Sequence, residues 1–369
     1  MECIQFTAIV LMTLLTLKLL LLPGRVAVNP IVNKARWLMV GSTVLLGVQF
    51  LLQLTLGLRS LGVTQAVMLN LVFFIPCSWL MSLAILYLQR QGRVTMLDKF
   101  LGVIIWAVVL AILGTAAAID GEPLLSGTKE IFHAEIIASC LFACMQGHYA
   151  YRHTTNLKAM SNALHNYFDR NHDSILRWMQ VSVGILIVLT LMVPALIFVH
   201  NKLLAVFCVL FFGGIFYLVD SFCSYVMSSA PAKVKEAEQS EELTITAEQE
   251  NEFADTEQDS MQRVTFLVEQ WLQKGRYLKT GVKLPAAARG IGIPQYLLSA
   301  WLRHNNMKYS EWMTYLRVEE AKRILTKHPE WSNETIAQHC GFNDRSYFHK
   351  KFKEVTGISP SDYQAALSA

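Results

Sequence analysis

Seven long apolar stretches in the first 227 residues constrain this chain more than anything else in its sequence. They cover residues 4–22, 37–58, 66–88, 100–119, 131–151, 181–199 and 203–227. Each approaches the roughly 20 residues that an α-helix needs to cross about 30 Å of hydrocarbon. Within lipid a helix satisfies its own backbone donors and acceptors, so the pattern predicts a bundle of seven membrane-spanning helices. Met1-Glu2-Cys3 carries no basic charge and no small-x-small cleavage site follows the first stretch, which is therefore read as a retained span rather than a signal peptide.

Basic residues in short loops give the orientation, because Lys and Arg are retained on the cytoplasmic side. The loops after the first, third and fifth stretches hold Arg25, Lys34, Arg36, Arg90, Arg93, Lys99, Arg152, Lys158, Arg170 and Arg177, whereas the alternate loops hold only Arg59, Lys129 and Lys202. Ten against three places the N-terminus outside, and seven crossings then deliver the C-terminus to the cytoplasm. The outer loops are too short to form a separate extracellular domain.

The composition changes sharply after residue 227. Residues 228–260 carry 10 acidic side chains against Lys233 and Lys235, have few large apolar groups, and are expected to form an acidic flexible linker. As a coil this linker spans roughly 30 Å, enough to hang a domain clear of the headgroups. Its acidity also makes it a candidate competitor for whatever a basic partner domain binds, although such runs are usually solvated spacers. Residues 261–369 carry 16 basic and 9 acidic residues and return to amphipathic helical spacing, beginning with Val264, Leu267, Val268, Trp271 and Leu272, with Asp259 or Ser260 as candidate cap. Three domains are therefore expected: a seven-span bundle over 1–227, the linker over 228–260, and a compact helical domain over 261–369.

Ionisable groups inside a bilayer are costly and mark candidate functional sites. Glu135 and His148, on the fifth stretch, and Asp220, late in the seventh, are candidate signal or coupling residues. Cys140, Cys144 and His148 recur at i, i+4, i+8 and share one helix face, but the bland reading, small apolar cysteines and an interfacial histidine, outweighs a metal site. The seven cysteines form no CxxC pair or finger spacing, so neither a disulfide framework nor structural zinc is expected, and no cofactor is implied. In the inner loop 152–179, Leu157, Met160, Leu164 and Phe168 fall at helical spacing and predict an amphipathic connecting helix.

The C-terminal domain contains the same unit twice. In "LPAAARGIGIPQYLLSAWLRHN" a short helix ends near Ala288, Gly290 and Gly292 permit a turn, and Pro294 opens a second helix whose Leu297, Leu298, Trp301 and Leu302 face inward. In "ETIAQHCGFNDRSYFHKKFKEVTG" Ile336 and Ala337 pack, Gly341 makes the turn, Asn343 is placed to cap, and Phe348, Phe352 and Val355 form the inward stripe until Gly357 stops the helix. The outer face then presents Asp344, Arg345, Ser346, His349, Lys350 and Lys353. Between the units, residues 309–325 predict a longer amphipathic helix. Two such helix pairs held one duplex turn apart, about 34 Å, suit adjacent major grooves of DNA.

These residues carry a resemblance. The stretch from about 264 to 363 resembles the AraC/XylS family of transcription regulators through Ile336-Ala337, Gly341-Phe342, Ser346-Tyr347-Phe348, Phe352-Lys353, Gly357, Pro360 and Tyr363, and through Arg317 and Ala321 of "LRVEEAKRIL". The resemblance implies an all-α, seven-helix domain with two helix-turn-helix motifs that binds double-stranded promoter DNA. The DNA-binding residues expected are Pro294, Gln295, Tyr296, Ser299 and Arg303 in the first motif and Asn343, Asp344, Arg345, Ser346, His349, Lys350 and Lys353 in the second. The sequence departs from the family at Pro294, where a polar cap is usual, and at Gln364, where an arginine is usual.

The expectation is a one-component, membrane-bound transcription regulator of the bacterial inner membrane, without catalysis. RNA polymerase, a lipid-soluble or membrane-protein signal and a second copy of the chain are candidate partners. The alternative is a transporter or membrane receptor with a regulatory DNA-binding tail; sparse buried charge argues against ion coupling, and no HExxH, GxSxG or GxxxxGK[ST] string supports chemistry. A third reading makes the bundle an inert anchor.

Overall fold

The computed structural model describes residues 2–57, 63–121, 128–169, 173–195, 201–228, 230–251 and 257–368. Among them the chain is all-helical, and it divides into two compact units, 1–159 with 174–231, and 160–173 with 232–369.

The first unit contains α1 (Glu2–Leu20), the short α2 (Gly24–Val28), α3 (Pro30–Thr55), α4 (Val63–Gln89), α5 (Met96–Asp120), most of α6 (Lys129–Tyr167), α7 (Asp173–Ala195) and α8 (Asn201–Met227). Local chemistry sets several boundaries. Asn29 accepts a hydrogen bond from the Ile31 N–H at 3.0 Å and precedes Pro30, a start signal for α3, and Thr95 caps α5 by accepting from the Asp98 N–H at 3.2 Å. Polar side chains between α3 and α4 pair internally: Gln49 and Gln53 both donate to Asn70 Oδ1, at 2.6 and 2.9 Å.

Five helices among the described residues are long and apolar enough to cross a membrane: Cys3–Leu20, Pro30–Thr55, Met68–Gln89, Met96–Ile119 and Cys208–Met227. The described parts of the seven expected stretches fall mainly on helices, but the fifth and sixth do not meet that measure. The apolar half of α6 is interrupted by His133, Glu135, Gln146 and His148, and the described apolar part of α7 is the shorter Leu176–Leu189, with residues 196–200 outside the described set.

The expected inner-loop helix is not separate. α6 continues through the fifth stretch to Tyr167 over 39 residues, and its last turns, from Met160, belong to the second unit. The expected flexible linker is also corrected, since residues Ala230–Asn251 form a helix, α9. Two physical reasons account for this. The segment is rich in Ala, Glu, Gln and Lys, which favour helix, and its Val234, Ala237, Ser240 and Thr244 form a buried face that the acidic average conceals.

The second unit adds seven further α-helices among the described residues: α10 (Glu257–Gln273), α11 (Leu284–Ile291), α12 (Gln295–His304), α13 (Tyr309–Lys327), α14 (Asn333–His339), α15 (Arg345–Thr356) and α16 (Pro360–Ser368). Asp259 and Ser260, the expected cap, lie within the range of α10. Two hydrophobic clusters form. In one, α10–α12 pack with Tyr309, Trp312 and Met313 around a Trp271–Trp312 stack with ring centroids 5.8 Å apart. In the other, α14 and α15 pack on Val318, Ala321, Ile324 and Leu325. α13 supplies side chains to both clusters and fixes the two helix pairs to one rod.

Candidate nucleic-acid interface

The second helix pair, α14 and α15, is built as the sequence expects, with two corrections. Gly341 sits between them at φ +80°, and a Cβ there would lie 2.3 Å from the Leu278 carbonyl oxygen, so both backbone conformation and space require glycine. Phe348 and Phe352 are fully buried on the inward face, whereas Val355 is 39% exposed and does not complete the stripe. The cap is Asp344 and not Asn343: the Asp344 carboxylate accepts from the Tyr347 N–H at 2.7 Å from an extended backbone. A side chain caps by reaching the third residue of its helix, and only position 344 has that spacing. Gly357, at φ +84°, ends α15.

Asn343, Asp344, Arg345, Ser346, His349, Lys350 and Lys353 are all exposed. Residues 343–346, at the start of α15, are thus exposed and flanked by cations, the arrangement in which a recognition helix presents its N-terminal residues to base edges and its basic residues to phosphate. Burial pushes the Cys340 thiol behind it up to about 12, so this cysteine is a packing residue.

The first helix pair, α11 and α12, has the same frame and different surroundings. Gly292, at φ +90°, makes the turn, while Gly290 lies inside α11, where a Cβ would come within 2.8 Å of Trp271 Nε1; its role is close helix packing rather than turning. Pro294 is the N-cap of α12, with no side-chain hydrogen bond. Leu298, Trp301 and Leu302 are buried and Leu297 is partly buried.

Gln295, Ser299 and Arg303 share one face of α12, and that face lies against α9. Gln295 Nε2 donates to Ser240 Oγ at 2.7 Å, to Thr244 Oγ1 at 2.7 Å and to the Ser240 carbonyl at 3.2 Å. Burial raises the Glu241 carboxyl above its ordinary range, with Arg303 opposing the rise. Tyr296 is half-buried and Pro294 exposed. Of the residues expected to read DNA, those on the second motif are open, and three on the first face the chain's own linker helix.

Two further ion pairs hold this arrangement, and the sequence singled out neither. Lys283 Nζ donates to Glu236 at 2.6 Å, and the Tyr167 hydroxyl donates to the same carboxylate at 2.7 Å; Lys283 holds the Glu236 carboxyl below its usual value. Asp169 is buried against Arg317, 5% and 3% exposed. One carboxylate oxygen of Asp169 accepts from Arg317 Nη2 at 2.8 Å and from the Gly281 and Val282 N–H groups at 2.9 and 3.1 Å. Arg317 also donates to the carbonyls of Tyr277 and Lys279. The arginine carries part of the family resemblance, but its partner lies 148 residues away and no local signal links them.

The membrane candidates do not converge. His148 Nε2 lies 3.0 Å from Asp98 Oδ1, and Arg152 donates to the other Asp98 oxygen at 2.7 Å. Asp220 accepts from Lys18, while Glu135 is buried with Oε1 unpartnered. Cys140 and Cys144 are exposed. Among the described residues no group of three or more His, Cys, Asp or Glu side chains is placed to hold a metal ion.

Comparison with known proteins agrees with the geometry of the C-terminal unit. A family described as a helix-turn-helix domain matches residues 287–366. The chain is similar to the HTH-type transcriptional regulator YpdC of Escherichia coli K12, 33% identical over 72 residues, which is 20% of this chain and 25% of that protein. It is similar to the regulatory protein PocR of Salmonella typhimurium, 27% identical over 75 residues, 20% of this chain and 24% of that one. It is also similar to the raffinose operon transcriptional regulatory protein RafR of Pediococcus pentosaceus, 35% identical over 72 residues, 20% of this chain and 26% of that one. The chain thus spans about a quarter of the length of these relatives. No solved structure matches it significantly. Residues 287–366 therefore form a helix-turn-helix domain of the AraC type.

Proposed function

We propose that this chain is a membrane-bound, one-component transcription regulator of the bacterial inner membrane. The N-terminal bundle crosses the bilayer, the C-terminal domain lies in the cytoplasm, and α12 and α15 bind specific double-stranded promoter DNA. The observation that carries this reading is the exposed, capped and cation-flanked N-terminus of α15 within a domain of the AraC type. Arg345, Ser346 and His349 read base edges, while Lys350 and Lys353 contact phosphate. Catalysis has no part in this reading, and RNA polymerase is the partner through which bound protein acts. The five apolar helices support the membrane location, and the asymmetry of loop charge supports the orientation.

The test is a gel-shift selection from a random duplex pool, using the full chain in lipid nanodiscs. Enrichment of one sequence over random competitor at about 0.15 M salt is the expected outcome. Equal retention of all sequences overturns the specific-reader function.

A further inference from the structure

The first unit carries two neighbouring half-open cavities, their volumes counted out to solvent, that no part of the proposed DNA chemistry uses. One, of about 460 Å³, lies between α4, α6 and α7 and is lined by Ser82, Gln146, His153, Val183, Leu186 and Ile187 among others. The other, of about 390 Å³, shares Gln146 and Leu186 with it and is otherwise lined mainly by Leu46, Phe74, Met81, Phe142 and Phe211. Ser82 Oγ, Gln146 Nε2 and His153 Nε2 are all buried and all lack a hydrogen-bond partner. All three belong to side chains that line the first cavity. Buried polar atoms are normally satisfied, and three unsatisfied ones on side chains around one space point to a partner that the chain itself does not supply.

The polarity of the missing partner follows from the pairs already made. Gln89 donates to the His153 carbonyl, so its oxygen faces His153 Nδ1 at 2.9 Å and accepts the Nδ1 proton. The neutral ring then offers a lone pair at Nε2. Gln146 Nε2 offers a donor, and Ser82 offers either. Among the described residues no charged side chain lines either cavity. We propose that these cavities form a binding site for a small uncharged amphiphile, its hydroxyl-bearing head between Ser82, Gln146 and His153 and its apolar tail against Phe74, Phe142 and Phe211.

A diazirine-bearing 1-octanol photolabel, applied to the full chain in nanodiscs, tests the site. Labelling is expected on cavity residues of α6 and α7. It should saturate and fall at least tenfold with excess 1-octanol, but not with octanoate or octyltrimethylammonium at equal membrane concentration. The variants Ala143→Phe, which fills the cavity, and Gln146→Leu/His153→Leu, which remove the head contacts, should both lose it. Unsaturable labelling means that the cavity holds only water or bulk lipid, and equal competition by the charged chains means an unselective groove; either result overturns the proposal.

A second observation, in the other unit, stands independently. α9 lays Ala237, Ser240, Glu241 and Thr244 along the α12 face that carries Gln295, Ser299 and Arg303. The Gln295 Nε2 group is engaged there, and the Glu241 carboxylate on the same helix interacts electrostatically with Arg303. Resting on the reading of α12 as a DNA-binding helix, the geometry assigns α9 the role of an autoinhibitory clasp: linker and duplex compete for one face, and only the clasp-released domain uses both motifs.

Ala237→Glu separates this from a solvated spacer. Ala237 is 1% exposed, so a glutamate forces α9 off, yet it adds negative charge that by itself weakens binding to DNA. The full-chain variant should bind the selected duplex at least tenfold more tightly than the parent chain. Hydrogen exchange of residues 237–245 in the parent chain should rise when duplex is added. Weaker or equal binding by the variant, with exchange unchanged, overturns the clasp. If neither protein binds any duplex, it is the proposed DNA-binding function that fails.

Discussion

At position 341 two independent constraints coincide. The backbone is in the left-handed region, and a Cβ would meet the Leu278 carbonyl at 2.3 Å. Gly341→Ala is therefore expected to destabilise the C-terminal unit by more than the ~1 kcal/mol of a left-handed alanine alone. The measurement is the urea midpoint followed by tryptophan fluorescence; a loss within that figure would show that the 276–278 turn gives way freely. Its neighbour Cys340 tests burial directly. With its thiol pushed up to about 12, Cys340 should resist iodoacetamide at pH 8 in the folded protein and react once urea exposes it. Prompt labelling of the folded chain, read by mass spectrometry, would contradict the packing of α14 against α15.

At the scale of the element, the cap on α15 is the sharpest prediction. Asp344→Ala removes the acceptor for the Tyr347 N–H and should cost ~1 kcal/mol of stability, whereas Asp344→Asn, which keeps a capping oxygen, should cost far less. Equal losses for the two variants would show that the side-chain oxygen of residue 344 does not cap α15. The same comparison shows what local sequence reveals. Six of the seven C-terminal helices are readable because apolar spacing, proline and glycine act within a few residues of where they lie, while α16 follows only from the family resemblance. Asn343 against Asp344 was a matter of one residue in register, which periodicity does not resolve. α9 was missed for a different reason: its buried face uses one valine, one alanine, a serine and a threonine, too little hydrophobicity to stand out from ten acidic neighbours. The covering of Gln295 was invisible for the same reason, since it depends on a surface 51 to 55 residues distant.

For the whole molecule, the proposed function predicts two bulk behaviours. Affinity for duplex should fall linearly with salt on logarithmic axes, and Lys350→Ala and Lys353→Ala should each lower that slope by about one. A slope that neither change alters would remove these lysines from the phosphate contacts. Orientation is checked by fusing alkaline phosphatase or a green fluorescent protein to the C-terminus in cells: fluorescence without phosphatase activity is the expected pair of results, and the reverse pair would exclude a DNA-reading role.

The Asp169–Arg317 pair also bears on how such a chain matures. Its carboxylate is translated before α7 and α8, and its guanidinium after them. A ribosome therefore completes both remaining hydrophobic helices before the C-terminal unit can neutralise its buried cation. A chain in which the 169 and 317 segments fail to meet leaves that arginine buried without its carboxylate, a costly fault. One ion pair thereby ties completion of the C-terminal unit to a segment made 148 residues earlier.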